Sequence, residues 1–198
     1  NAAPPSFLKF EPQPQEEEGS SEFDDGFVDG EIEMDAIDPD LDILMERILT
    51  EARQFVNADA GSIYIRDGEH LHFTYTQNQT LQRRLPDGQK LIYSTFSMPV
   101  DEKSIAGYVA ATGRVLNITD VYLLDPTLPY QFSKGFDEAS GYKTESVLAV
   151  PLKNASGGIL GILQIINAQD GEQHIQPFST TDETIMLHFA SIAAVALE

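Results

Sequence analysis

Apolar residues recur at helical spacing near the start of the chain's apolar half. Leu41, Leu44, Met45, Ile48, Leu49, Ala52, Phe55 and Val56 lie on one face, so residues 41–56 are predicted as an amphipathic helix. Asp38 or Asp40 is its expected N-cap, with Pro39 near the first turn. The period then changes. Ser62–Arg66 reads as a strand, Asp67-Gly68 as a hairpin turn and Leu71–Thr76 as the return strand. In that return strand Leu71, Phe73 and Tyr75 alternate with His70, His72, Thr74 and Thr76. Residues 77–94 are polar and contain Pro86-Asp87-Gly88, which predicts a loop or short hairpin. A strand follows at Phe96–Val100. Ser104 is placed to cap a helix over Ile105–Ala111 that Gly113 ends, and Val115–Ile118 is a short strand.

The connection over residues 119–143, with Pro126, Pro129, Gly135 and Gly141, is long for a compact domain; such loops usually carry function. Glu145–Leu152 and Ile159–Ala168 are the two most apolar strands, joined by the turn Asn154-Ala155-Ser156-Gly157-Gly158. A last helix starts near Ser179 or Thr180, where Thr180 and Glu183 have capping-box spacing. Its apolar stripe is Ile185, Phe189, Ile192 and Ala196, while Ala190, Ala193 and Ala194 let another helix come close. The order of elements predicts an α+β fold: an antiparallel sheet of about six strands with helices packed on one face.

Composition changes this picture at one end. Residues 1–40 hold thirteen of the 32 acidic residues and one base, so most of the net charge of −20 sits there. Residues 1–36 are therefore expected to be an acidic, Pro- and Glu-rich leader or linker, and 37–198 the folded domain. Phe7, Leu8, Phe10, Phe23, Phe27, Val28, Ile32 and Met34 are scattered through the leader and are candidates to dock on the domain or on a partner chain. The chain starts without Met and ends inside an apolar helical pattern, so it is expected to be a piece of a longer protein. No basic stripe exists to meet phosphates, which excludes nucleic acid and anionic membrane surfaces as expected partners. No apolar run is long enough to span a bilayer. The absence of Cys removes disulfides, thiolate metal sites and thiol nucleophiles, and agrees with a cytoplasmic location.

Several segments together resemble a known family. Asn167 and the run Phe178-Ser179-Thr180-Thr181-Asp182-Glu183 match the Asn-Lys…Phe…Asp-Glu motif of GAF domains, with Ala168 where the family has Lys. Ser104–Gly113 and Asn117-Ile118-Thr119-Asp120-Val121 match two further segments. The likeness, over about 41–198, is to GAF domains of the cyclic-nucleotide phosphodiesterase and cyclase type. It is also to GAF modules ahead of bacterial HD-type (HD-GYP) metal-dependent phosphohydrolases.

The resemblance implies a PAS-related sheet with the first and last helices on one face and a lid over the other. It implies a regulatory sensor that binds a small molecule, with cyclic AMP or cyclic GMP as candidates, and controls a covalently linked output domain outside this chain. It implies a homodimer through the first and last helices. The pocket it implies uses Ser62, Tyr75 and Thr76 on the first hairpin, the amides of Ile105 and Ala106 at a helix start, Asp137, Ser140 and Thr144 on the lid, and Gln164 on the sheet floor. Asn167, Phe178, Asp182 and Glu183 would be structural. With the family's Lys absent, Asp182 is left to be solvated, to cap the helix or to find another cation.

Several pocket residues also have a plainer reading. Tyr75 fits a core position, Ser62 an ordinary strand, Ile105 and Ala106 a packed first turn, and Asp137 a solvated loop charge. The competing functional class is a ligand-free dimerisation or interaction module whose pocket is filled by side chains. A third class has the acidic leader reaching a separate partner. No catalytic constellation is legible, so the chain itself is not read as an enzyme. No metal site is expected, since His70 and His72 fit an exposed strand face. Bilin attachment and methionine-sulfoxide reduction need the missing Cys, and a haem site needs an axial His that the alignment does not supply.

Overall fold

The computed structural model describes residues 39–93 and 96–198. The leader, its apolar positions and Asp38 as a helix cap lie outside the described residues.

The chain runs through α1 (Pro39–Phe55), β1 (Ala58–Asp67), β2 (His70–Asn78), α2 (Gln79–Arg83), β3 (Ser97–Pro99), α3 (Ile105–Thr112), β4 (Leu116–Ile118), α4 (Gly135–Ser140), β5 (Val147–Lys153), β6 (Ile159–Gln169), β7 (Ile175–Gln176) and α5 (Thr180–Ala196). A 3-10 turn spans Val121–Leu123. The seven strands form one antiparallel sheet in the order β3-β2-β1-β6-β5-β4, with β7 pairing on β6.

Cross-strand register divides the sheet into two faces. Ile63, Leu163 and Val150 lie opposite one another on β1, β6 and β5, and all three are fully buried. Strand residues alternate between faces, so the neighbouring row Ser62–Gln164–Ala149 points the other way. The first row meets α1 and α5 through Met45, Leu49 and Met186, each with no exposed surface. Burying such a side chain contributes about 1.5–3 kcal/mol. Gly61 permits this approach, because a Cβ there would stand 3.0 Å from Leu49 and 3.2 Å from Arg53. The second face carries α3 and the lid segment.

Several predicted boundaries move. β1 starts at Ala58 instead of Ser62. The polar stretch after β2 opens with α2, whose N-cap Asn78 accepts from the Leu81 amide at 2.9 Å. Asp40 lies inside the first turn of α1 instead of capping it. The capping box of α5 is formed by Ser179 and Asp182, not Thr180 and Glu183. Asp182 accepts from the Ser179 amide at 2.7 Å, and Ser179 Oγ accepts from the Asp182 amide at 3.1 Å. Of the three fates open to Asp182 without a lysine, the helix cap is the one found. Ala168, in the lysine's place, is buried among α1 and α5 side chains. Gly113 ends α3 in the left-handed region at φ 68°, as its glycine predicts.

Candidate functional site

The face of the sheet away from α1 and α5 bears a partly open cavity of about 320 Å3. Its floor is a row of neutral hydrogen-bonding side chains across three strands: Thr76 on β2, Ser62 on β1 and Gln164 on β6. The Ser62 and Thr76 hydroxyls lie 2.5 Å apart. Tyr64, two residues along the same face from Ser62, has its hydroxyl pKa pushed up by burial, and a hydrogen bond with Gln164 partly offsets this. Beside the floor stands an aromatic wall. Phe73 stacks on Phe96 at 4.6 Å and meets the edges of Tyr64 at 5.3 Å and Tyr93 at 6.2 Å. The lid forms the roof through Phe132 and Phe136.

One end of the cavity is the first turn of α3. Ser104 Oγ accepts from the Gly107 amide at 3.0 Å, and the helical ladder begins with Tyr108 N donating to Ser104 O. Ala106 lies in the first turn, at the positive end of the helix, and lines the cavity. Ile105 lines the same end.

Asp137 is the single charged side chain among the described lining residues, and the fold uses it fully. Its Oδ2 accepts from the Thr144 amide at 2.8 Å and the Tyr122 hydroxyl at 2.7 Å, and its Oδ1 accepts from the Thr144 hydroxyl at 2.8 Å. It thus latches α4 to the strand entry and to the 3-10 turn. A second tie fastens the lid's exit. The Tyr142 hydroxyl donates to buried Asp59 at 2.8 Å and accepts from Asn167 Nδ2 at 2.9 Å. Asn167 also donates to Lys143 O and accepts from the Glu145 amide, while its backbone sits in the left-handed region at φ 57°, where Asn is tolerated. The motif residue Asn167 is therefore a clasp for the lid. Phe178 is buried against α1 and α5, and Glu183 starts the helical ladder by donating its amide to Ser179 O.

Seven of the nine expected pocket residues line the cavity: Ser62, Thr76, Ile105, Ala106, Asp137, Thr144 and Gln164. Tyr75 does not. A β-bulge between Ile63 and Tyr64 pairs them with Tyr75 and Phe73, leaving Thr74 as the extra residue. The extra residue reverses the alternation, so Phe73 faces the cavity while Tyr75 packs on the helix side. There the Tyr75 hydroxyl donates to Asp42 at 2.6 Å. Ser140 also stays outside the lining; its hydroxyl donates to Phe136 O and accepts from the Tyr142 amide. The aromatic wall is not legible in the periodicity of the sequence, although Tyr64, two residues from Ser62, is a usable signal. Tyr93 and the lid aromatics follow from no period.

The model of the GAF domain family matches residues 40–197. The chain is 31% identical over 167 residues to "Dual 3',5'-cyclic-AMP and -GMP phosphodiesterase 11A" of Takifugu rubripes, covering 81% of this chain and 17% of that protein. It is 28% identical over 172 residues to "Dual 3',5'-cyclic-AMP and -GMP phosphodiesterase 11" of Drosophila melanogaster, covering 78% of this chain and 10% of that protein. The chain thus spans less than a fifth of either relative's length. Among solved structures, the GAF domain of a phosphoenolpyruvate-protein phosphotransferase from Coxiella burnetii superposes with a TM-score of 0.58 at 20% identity, covering 81% of this chain and 83% of that one. At that identity the likeness is one of fold.

Proposed function

The chain belongs to the GAF domain family, and from that premise we propose that it is a regulatory sensor whose cavity binds a cyclic nucleotide, cyclic AMP or cyclic GMP, beneath the lid. The observation that carries this reading is the division of chemistry within one cavity. An aromatic wall and a neutral hydrogen-bonding floor suit a purine ring. The α3 start suits one negative charge. No basic side chain is present among the described lining residues. A cyclic phosphodiester carries a single charge, whereas a linear nucleotide carries two or more and would lack a counter-cation. The names of the phosphodiesterase relatives support the same ligand class.

An open cavity also favours the sensor over the module with a filled pocket. Ligand contacts with Thr144 and the lid roof would stabilise the closed arrangement, and the Asp137 and Tyr142 ties would carry that preference to the sheet and to α1. The second half of the proposal is a homodimer through α1 and α5. Ile43, Phe55, Ile192 and Val195 leave more than half their surface exposed there. Replacing Ile43 and Val195 by Glu should halve the mass in solution with little change in melting temperature. The proposed output is a covalently linked domain. The relatives make a cyclic-nucleotide phosphodiesterase better supported than the HD-type phosphohydrolase. A cytoplasmic setting belongs to the proposal too; no helix of the described residues is long and apolar enough to cross a membrane.

A thermal-shift titration tests the ligand. At 100 times its dissociation constant a ligand adds about 2.7 kcal/mol. A saturable shift with cyclic AMP or cyclic GMP, weakened in Gln164→Ala, is expected. No shift with either nucleotide would refute the reading.

A further inference from the structure

The Tyr93 hydroxyl is the only buried side-chain polar atom among the described residues that has no hydrogen-bond partner. Its ring is part of the aromatic wall and lines the cavity. Three polar side chains of the same cavity lining are committed elsewhere. Gln77 accepts from Arg53 at 2.7 Å and donates to Thr50 at 2.8 Å and Glu46 O at 3.1 Å. The Tyr142 hydroxyl is held between Asp59 and Asn167. Asn78 Oδ1 is taken by the Leu81 amide. Water does not reach the atom, so without a partner it carries an uncompensated desolvation cost. Phe would fill the same space without that cost. Burial and nearby Asp59 raise the hydroxyl's pKa, Arg53 opposes them, and at neutral pH the group remains a donor.

We infer that Tyr93 is a ligand-recognition residue, whose hydroxyl donates to an acceptor atom on the edge of a flat heteroaromatic ring held against Phe73. The inference includes a tilt of the Tyr93 ring that brings the hydroxyl from its buried position onto the occupant. The inference rests on the proposal that the cavity holds a ring ligand, but does not require that ring to be part of a cyclic nucleotide. It makes the polar edge of the ring a determinant of affinity, at a site separate from the Thr76–Ser62–Gln164 floor and the α3 turn.

The test is calorimetric titration of the chain and its Tyr93→Phe variant with cyclic AMP, cyclic GMP, adenine and guanosine, with melting of both proteins unliganded. The variant is expected to melt no lower than the parent and to bind the purine compounds about tenfold more weakly. Equal binding of cyclic nucleotides by both proteins would overturn the role of Tyr93 and leave the sensor reading intact. Binding of free purines alone, with the tenfold loss, would uphold Tyr93 and refute the cyclic nucleotide. A fall of several degrees in unliganded melting would mean that the hydroxyl serves a protein partner, and would overturn the inference. Binding of no purine by the parent would refute both.

Discussion

The two faces of one sheet do different jobs with the same strands. On the α1 and α5 side, Ile63, Leu163, Val150, Leu49 and Met186 close into a core with no exposed surface. On the α3 and lid side, residues one step along the same strands surround about 320 Å3 of open space. Close packing on one face supplies stability, which leaves the other face free to remain hollow. Its roof is held by hydrogen bonds instead of a filled core: Asp137 to Thr144 and Tyr122, and Tyr142 to Asp59 and Asn167.

The largest expected difference between the faces is in core truncation. Leu163→Ala should cost about 3–4 kcal/mol, because close-packed neighbours relax only partly around the new void. Melting should fall by roughly 6–16 °C for a domain of this size. Phe132→Ala, in the roof of an existing cavity, should cost less than half as much. Equal losses would erase the distinction.

Next comes the latch. Asp137→Ala removes the acceptor of three hydrogen bonds and leaves Thr144 buried without it, for a loss of about 2 kcal/mol. Limited proteolysis should then cut within residues 119–143, while the closed face stays protected. Cleavage elsewhere first would show that the lid is not held by this carboxylate.

The smallest effect concerns Tyr122. Its hydrogen bond to Asp137, and secondarily burial, raise its pKa from the ordinary 10.0 to about 12. The folded chain holds that proton more tightly than the unfolded one. Its contribution is therefore complete below pH 10 and is lost as the pH rises through about 12. A spectrophotometric titration of the tyrosines should lose a step near 12 in Tyr122→Phe, and Asp137→Asn should move that step towards 10. An unchanged titration in Asp137→Asn would detach Tyr122 from the latch.

Legibility in the sequence also divides by face. Most of the closed face follows from period: Met45, Ile48, Leu49 and Ala52 of α1, alternate positions of the apolar β5 and β6 runs and the small residues Ala190, Ala193 and Ala194 of α5 point inward, whereas Leu44, Phe55 and Ile192, on the same predicted stripes, are exposed. The hollow face does not. Thr74 is an ordinary strand residue by type, yet as the extra residue of a bulge it brings Phe73 to the cavity, while Tyr75, next to cavity-facing Thr76, turns to the helix side. Bulge placement depends on the pairing of two strands, which a single strand's alternation does not record. Tyr93 reaches the wall from an irregular stretch, where no period applies. Ser62, Thr76, Thr144 and Gln164 follow from the family resemblance, and the register of β2, β1 and β6 explains why three of them form a row. The capping box moved by one residue because Ser179–Asp182 and Thr180–Glu183 have the same spacing and similar chemistry.

The central claim is that the hollow face is a ligand site closed by its lid. Hydrogen exchange with and without saturating cyclic AMP or cyclic GMP tests it most directly. The account predicts slower exchange in residues 119–144 and at the first turn of α3, with little change in the strand amides backed by Leu49 and Met186. Saturation with either nucleotide that leaves the lid's exchange unaltered, or that protects only α1 and α5, would contradict it.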